Sequence, residues 1–192
     1  RLDPDGDLIV NPSGHLLFSG DGHGGVFRAL VQPDEEGISL SSRLAAMGVS
    51  HLVLHNVDNA AANAFDAGRL GFHRSHGCAV TLTVVPRRHA HEKVGLVARD
   101  QLTGRIDVVE YSVCPKALAE AVNPATGHAL FDLAHINTNL VDLSSMRTDL
   151  PPTLYMDKKV QVGKSIVASC TLEMLNQHLA HLVDPERVGV LL

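Results

Sequence analysis

Two short apolar runs, separated by a segment of small residues, constrain the fold of this chain most. The first spans residues 51–57 (HLVLHNV) and is followed by Asp58 and Asn59; the second spans residues 78–85 (CAVTLTVV). Runs of this length are typical of strands buried on both faces of a sheet. The alanine-rich segment between them predicts a helix that continues through Leu70. Strand, helix and strand in this order predict an α/β fold, a three-layer sandwich with a mainly parallel sheet.

The rest of the chain continues this alternation of strands and helices. Helices are predicted at 26–31, 39–47, 115–122, 140–146 and 165–183, the last being the longest. Strands are predicted at 94–98, 106–111, 129–136 and 188–192, and a loop at 147–157. The second and third of these helices are bounded by turn-forming residues, and Thr103-Gly104 suits a hairpin between the strands at 94–98 and 106–111. No linker divides residues 1–192, so we expect a single domain.

Composition excludes several classes of function. The 192 residues carry 16 Lys and Arg against 21 Asp and Glu, a net charge of -5 without any basic run, so no nucleic-acid or membrane partner is expected. There is no apolar run of about 18 residues that would predict a membrane span. The three cysteines are far apart and form no CxxC pair, which argues against a disulfide framework and a zinc finger. We expect a cytoplasmic protein.

A glycine-rich segment, Gly20-Asp21-Gly22-His23-Gly24-Gly25, opens the first predicted helix. Glycines let the backbone approach a ligand closely, and a helix N-terminus favours an anion. A flexible surface loop would explain the same composition. However, a histidine among four glycines has no neighbouring side chain to pack against, which favours contact with something else.

Polar residues also follow three of the predicted strands. Asp58, flanked by Asn56 and Asn59, is suited to hold a divalent cation and a ribose or sugar hydroxyl, or alternatively to cap a helix. Glu110 interrupts an apolar alternation, either as a site residue or as a solvent-facing one. Asn137 and Asn139 follow the strand at 129–136, where they are either ligand-binding residues or turn formers.

Taken together, these segments resemble the eukaryotic-type UDP-sugar pyrophosphorylases. The resemblance covers residues from about 5 to 143, and is carried by DGHGGVFRAL at 21–30 and by the segment from Val94-Gly95 to Val-Val-Glu-Tyr-Ser at 108–112. It implies a Rossmann-like, GT-A-like nucleotidyltransferase domain that uses Mg2+. The implied reaction joins a sugar-1-phosphate to UTP, giving a UDP-sugar and pyrophosphate.

The resemblance also implies roles for individual residues. Asp58 would be the catalytic residue that holds Mg2+ near the α-phosphate of the nucleotide, and Gly22 would lie against the uridine or the sugar phosphate. The residues expected around the hexose are His23, Asn56, Gly95, Glu110 and Asn139. His23 and Asn56 are typical of the glucose members of the family, so UDP-glucose is the predicted product.

The chain departs from the family pattern in two places. The glycine-rich loop that cradles the triphosphate and its partner lysine have no counterpart here, and Lys158, Lys159 and Lys164 do not stand in a matching context. We therefore expect residues 1–192 to be the central part of a catalytic domain cut at both ends, and inactive when isolated. A nucleotide-sugar binding module or inactive paralogue, and a histidine-rich metal-binding domain, remain as alternatives.

Overall fold

The computed structural model describes the backbone of residues 1–192 and the side chains of all of them except 156 and 157. The helices are α1 (Gly25–Val31), α2 (Leu40–Ala46), α3 (Ala67–Ser75), α4 (Lys116–Ala119) and α5 (Leu179–Leu182). The strands are β1 (His51–His55), β2 (Val80–Pro86), β3 (Gly95–Arg99), β4 (Ile106–Val109), β5 (Leu133–Asp142), β6 (Pro152–Val162), β7 (Ser165–Met174) and β8 (Val188–Leu191). Short 3-10 turns lie at Leu143–Ser145, Asn176–His178 and Pro185–Arg187.

Strand β5 is the centre of the main sheet. β2 runs antiparallel along one side of it, while β1 and β3 share the other side, β3 at residues 134–135 and β1 at residues 138–142. β4 continues the sheet beyond β3, and β8 continues it beyond β2. Among the ladders that the structure describes in this sheet, only β2–β8 is parallel.

The predicted α/β class is correct, but the prediction of a mainly parallel sheet is wrong. β1 and β2 are both antiparallel to β5, so they are parallel to each other, as their connection through α3 requires. They are not neighbours, because β5 lies between them. A later strand inserted into a strand–helix–strand unit leaves no local mark in the sequence.

The segment predicted as the longest helix, 165–183, is mostly a strand. β6 and β7 form an antiparallel hairpin across a turn at Gly163-Lys164, where Gly163 has a φ of +60°. A glycine at the first position of a two-residue turn is typical of a type II′ hairpin, and the β-branched Ile166 and Val167 favour a strand after it. The loop predicted at 147–157 accordingly contains the start of β6, and the helix predicted at 140–146 contains the end of β5.

Other predicted boundaries agree with the structure. α2 begins where the Ser39 hydroxyl accepts a hydrogen bond from the Ser42 amide, and the chain turns away at Gly48 with a φ of +83°. α3 starts later than predicted, because Asp66 caps it by accepting from the amides of Gly68 and Arg69. Within the described residues, no helix is long and apolar enough to cross a membrane.

The hydrophobic core fixes α1 and α5 against the sheet. Phe27 of α1, Leu82 of β2 and Leu179 of α5 are each 0% exposed and belong to one cluster. Burying a side chain of this size contributes about 1.5–3 kcal/mol to folding. Because Phe27 anchors α1, the glycine-rich segment immediately before it is held at the face of the sheet.

Candidate functional site

A pocket of about 390 Å³ opens beyond the carboxyl end of β1. Its lining comes from the glycine-rich segment and α1, from β1 and the residue after it, from the middle of β5, and from the 3-10 turn after β7: His23, Val26, Val53, Leu54, His55, Asn56, Asn137 and Asn176. Ligands in open α/β sheets bind beyond the carboxyl ends of strands, which agrees with this position.

An irregularity in β5 creates the floor of this pocket. Two steps along β2, from Leu82 to Val84, correspond to four steps along β5, from Asn139 to His135. Asn137 lies inside this bulge, between the part of β5 that pairs with β3 and the part that pairs with β1. Its φ of +48° is the one positive value among the non-glycine residues described. Bulges of this kind re-aim side chains and are common beside functional sites.

Asn137 is tied to Asn56, the residue that follows β1. Asn137 Nδ2 donates a short hydrogen bond to Asn56 Oδ1. Asn137 Oδ1 is buried and has no hydrogen-bond partner among the described residues. A buried acceptor without a partner is uncommon, and a ligand or a water molecule would satisfy it.

The glycine-rich segment docks on the end of β7. Gly24 N donates to Met174 O at 2.8 Å, and Met174 N donates to Asp21 O at 2.6 Å. A Cβ atom on Gly22 would lie 2.3 Å from Met174 O, and the φ of Gly22 is +85°. Packing against the protein therefore requires glycine at this position, whether or not a ligand also approaches it.

His23, next to Gly22, is held as a neutral imidazole. Its Nδ1 accepts a hydrogen bond of 3.0 Å from the backbone amide of Asn176, so the ring proton lies on Nε2. Burial is the main cause that lowers the pKa of His23, and the nearby His178 adds to the effect. The side chain thus offers the pocket a single uncharged donor, Nε2–H.

A buried polar chain lies beneath the pocket. His135 Nε2 donates to Asn139 Oδ1 at 2.8 Å, and Asn139 Nδ2 donates to Asn176 Oδ1 at 2.8 Å. Burial lowers the pKa of His135 to about 4, so the ring is neutral near pH 7. Asn139 is 1% exposed, and both the oxygen and the nitrogen of its side-chain amide form hydrogen bonds inside the protein. Asn137 lines this pocket, whereas Asn139 lies beneath it and holds Asn176, and the predicted contact of Asn139 with the sugar stays a prediction.

Glu110 lines a second, larger cavity of about 1030 Å³, together with Tyr155 and Glu173. Glu110 Oε1 accepts from Gln177 Nε2 at 2.9 Å, and burial raises the pKa of this carboxyl group. A Cβ atom on Gly95 would lie 2.8 Å from Val108 Cγ1 and 3.6 Å from Glu110 Oε1. Burial, with the charge of Glu110, also raises the pKa of Tyr155 to about 12, so its hydroxyl remains a donor.

Two consecutive residues connect the linings of the two cavities through contacts. Asn176 lines the smaller cavity, and Gln177 holds Glu110 at the edge of the larger one. His23, Asn56 and Asn137 are thus brought together directly, and Glu110 is linked to them through this pair. Sequence reasoning missed Asn176 and Gln177, which fell inside the wrongly predicted helix at 165–183. Two consecutive amide side chains within an apolar segment were the available signal.

Asp58 follows Asn56 by two residues in the sequence, and it does not line the smaller pocket. It is exposed, and its carboxylate makes no hydrogen bond or ion pair with the side chains that the structure describes. Mg2+ is usually bound by one or two carboxylates, with water and substrate phosphates completing its shell. Asp58 is an exposed carboxylate without a side-chain partner among the described residues, which is compatible with that requirement, and its metal role stays a prediction.

Known proteins resemble the chain along most of its length. The profile of the family described as UTP–glucose-1-phosphate uridylyltransferase matches residues 2–172. UDP-N-acetylglucosamine diphosphorylase 1 of Arabidopsis thaliana is 29% identical over 139 residues, which cover 72% of this chain and 26% of that protein. UDP-N-acetylglucosamine pyrophosphorylase of Saccharomyces cerevisiae is 34% identical over 107 residues, 56% of this chain and 21% of the other.

A solved structure agrees with this relationship. The crystal structure of the uridine diphosphate N-acetylglucosamine pyrophosphorylase from Trypanosoma brucei in complex with an inhibitor superposes with a TM-score of 0.79 at 26% identity, covering 97% of this chain and 38% of that one. The likeness confirms the predicted nucleotidyltransferase fold. The chain spans about a quarter of the length of the curated relatives described above. From the profile match and the shared fold we conclude that this chain belongs to the UTP–glucose-1-phosphate uridylyltransferase family.

Proposed function

We propose that the protein containing this chain transfers a uridylyl group from UTP to a sugar-1-phosphate. The observation that carries the proposal is the pocket at the β5 bulge, where His23, Asn56 and Asn137 present neutral hydrogen-bonding side chains. Family membership supplies the reaction class. In this reaction a phosphate oxygen of the sugar-1-phosphate forms a bond to the α-phosphorus of UTP, the bond from that phosphorus to the β-phosphate oxygen breaks, and pyrophosphate leaves.

Recognition of the sugar is assigned to uncharged groups. His23 Nε2–H offers a donor, Asn137 Oδ1 offers a buried acceptor, and Asn56 is fixed beside them by its hydrogen bond to Asn137. Sugar hydroxyls and amides both donate and accept, so paired donors and acceptors suit them. Glu110 lines the larger cavity, where its carboxylate would accept hydrogen bonds from hydroxyls on the far side of a hexose, and Gly95 lies next to Glu110.

Asp58 is proposed to hold the Mg2+ ion, which when bound neutralises charge on the reacting phosphates. The residues named here do little covalent work themselves. They orient the two substrates, and the neutral side chains of His23, Asn56 and Asn137 add no negative charge close to the phosphates. Gly22 is proposed to lie beside the nucleotide, in a segment that β7 holds rigidly through Gly24 and Met174.

For the identity of the sugar, we favour N-acetylglucosamine-1-phosphate. The curated relatives described above are UDP-N-acetylglucosamine enzymes. The predicted alternative, glucose-1-phosphate, depended on His23 and Asn56. Both side chains have internal partners, Asn176 and Asn137, so their identity also reflects how the pocket is built and is a weaker guide to the sugar.

Turnover of the full-length protein with UTP and each of the two sugar-1-phosphates separates these candidates. We expect turnover to give a UDP-sugar. The kcat/KM for the N-acetylated sugar should be at least about tenfold higher than that for glucose-1-phosphate, a difference of about 1.4 kcal/mol. A preference of that size for glucose-1-phosphate would restore the original prediction. Tight binding of a UDP-sugar without turnover would instead favour a binding module or an inactive paralogue.

A further inference from the structure

Three side chains that are remote in sequence converge at the opposite end of β1 from the pocket. His51 is the first residue of β1, His73 lies on α3, and Asp142 is the last residue of β5. His51 Nε2 and His73 Nε2 lie 3.3 Å and 3.2 Å from the same atom, Asp142 Oδ1. Along the extended strand, His51 and Asn56 are separated by roughly 16 Å.

The separations of these atoms match the ligand shell of a metal ion. The 3.2 Å contact of His73 with Asp142 is a long hydrogen bond, and the 3.3 Å contact of His51 is slightly longer than usual hydrogen bonds. A tetrahedral zinc ion with bonds of about 2.0–2.2 Å holds its ligand atoms about 3.3–3.5 Å apart. All three atoms also lie within 4.8 Å of one another.

The remaining polar atoms of the cluster are already occupied. His73 Nδ1 is 2.8 Å from Thr81 Oγ1, and His51 Nδ1 is 2.7 Å from Ser50 Oγ. If each Nδ1–H donates to its hydroxyl, each Nε2 presents a lone pair towards Asp142. Outer hydrogen bonds of this kind fix the tautomer of metal-bound histidines.

The carboxylate is oriented in the same manner. Arg187 donates to Asp142 Oδ2 at 3.0 Å, which leaves Oδ1 as the atom that faces both imidazoles. The positive charge of Arg187 also lowers the affinity for a cation, since its guanidinium group remains within hydrogen-bonding distance of the ligand carboxylate.

We propose that His51, His73 and Asp142 bind one zinc-type dication, with a water molecule as the fourth ligand. Two imidazole nitrogens favour zinc over magnesium, which prefers oxygen ligands. The side chains of His51 and Asp142 are 23% and 19% exposed, so the ion has a route from solvent, while His73 is 1% exposed and anchors the site. The ion would join β1, α3 and β5 and would stabilise the fold rather than take part in uridylyl transfer.

Metal binding to the chelator-treated full-length protein tests the proposal. We expect calorimetric titration with Zn2+ to show one site that both His51→Gln and Asp142→Asn weaken more than tenfold. His76→Gln is the matched control. His76 is exposed, follows the helix that carries His73, and forms side-chain hydrogen bonds only with Phe72 and Ser75 among the described residues. The His76→Gln variant should bind Zn2+ as the unaltered protein does. Co2+ should give the visible absorption of a tetrahedral complex, which the same two substitutions abolish.

The melting temperature provides a second readout. Saturating Zn2+ should raise the Tm of the unaltered protein and of Asp58→Asn, but not that of His51→Gln, since a ligand stabilises only a folded state that binds it. Circular dichroism establishes that each variant is folded. Absence of a zinc site in the unaltered protein, or equal binding by His51→Gln and Asp142→Asn, would overturn the proposal.

Discussion

The side-chain amide of Asn137 donates a hydrogen bond to Oδ1 of Asn56, a residue 81 positions earlier in the chain. This contact joins the bulge of the central strand β5 to the end of β1. Both residues line the smaller pocket, and the strained backbone of Asn137 is what directs its side chain there. The pocket therefore depends on one asparagine that tolerates a left-handed conformation and also supplies an amide.

Substitution of Asn137 separates these two contributions. Asn137→Ala should lower the free energy of unfolding by about 1–2 kcal/mol, because alanine disfavours a positive φ and also loses the hydrogen bond. Asn137→Gly loses the same bond but accepts the backbone, so it should be less destabilised. Both variants lack the amide and should raise the KM for the sugar-1-phosphate to a similar extent. An unchanged KM in both would remove Asn137 from the binding site.

Gly22 and Gly20 form a matched pair for the glycine-rich segment. Gly22→Ala should be strongly destabilising, by more than about 2 kcal/mol, because its Cβ would collide with the backbone of Met174 and its φ is positive. Gly20→Ala should change stability by less than about 1 kcal/mol, since nothing lies within 4 Å of a Cβ at that position. Urea unfolding of the two variants measures the difference. Equal effects would show that the segment is not docked on β7.

The lowered pKa of His135 predicts that the free energy of unfolding decreases in acid. Its pKa is lowered from 6.5 to about 4 in the folded protein, so its contribution is present above pH 6.5 and is lost as the pH falls towards 4. Between pH 7.5 and pH 4.5 this one group should cost about 2–3 kcal/mol. His135→Gln does not titrate, so its unfolding free energy should fall less over that range. Parallel pH dependence in the two proteins would contradict the buried neutral imidazole.

The contribution of Glu110 to stability should depend on pH in the opposite direction, decreasing as the pH rises. Burial raises its pKa above the ordinary value of 4.5, so the stability associated with its protonated form is lost as the pH rises through the raised pKa. Glu110→Gln keeps an acceptor for Gln177 and removes the buried charge. The Tm of this variant relative to the unaltered protein should therefore be higher at pH 8 than at pH 5. Its KM for the sugar-1-phosphate should rise if Glu110 accepts sugar hydroxyls.

Local chemistry in the sequence predicted much of the fold. Gly48 predicted the end of α2, the hydrophobic runs predicted β1 and β2, and the Thr103-Gly104 turn predicted the β3–β4 hairpin. The sheet order was not predictable in this way, because the pairing of β5 with β1, β2 and β3 joins residues far apart in sequence. The hairpin of β6 and β7 was missed because residues such as Ala168, Leu172 and Met174 favour helices when they are considered alone.

The candidate site was predicted only in part, because some of its residues are marked by local sequence and others are positioned by long-range strand pairing. His23 and Asn56 stood out because each is a polar residue at the end of a recognisable element, and the structure places both in one pocket. The sequence could not show which of Asn137 and Asn139 lines the pocket. The bulge that directs one into the pocket and the other into the interior is set by the register of β5 with β2. The cluster of His51, His73 and Asp142 was invisible, since its members are separated by 22 and 69 residues and only the folded sheet brings them together.

Replacement of Asp58 by asparagine in the full-length protein tests the central claim most directly. Pyrophosphate release from UTP, Mg2+ and N-acetylglucosamine-1-phosphate should fall by at least about 100-fold, because a carboxylate that holds the metal contributes mainly to the charged transition state. The Tm should not change, since Asp58 is exposed and has no partner among the described side chains. Asp5→Asn, a second exposed carboxylate in an N-terminal turn, is the control and should keep full activity. Full activity in Asp58→Asn, or a loss explained by a lower Tm, would contradict the account.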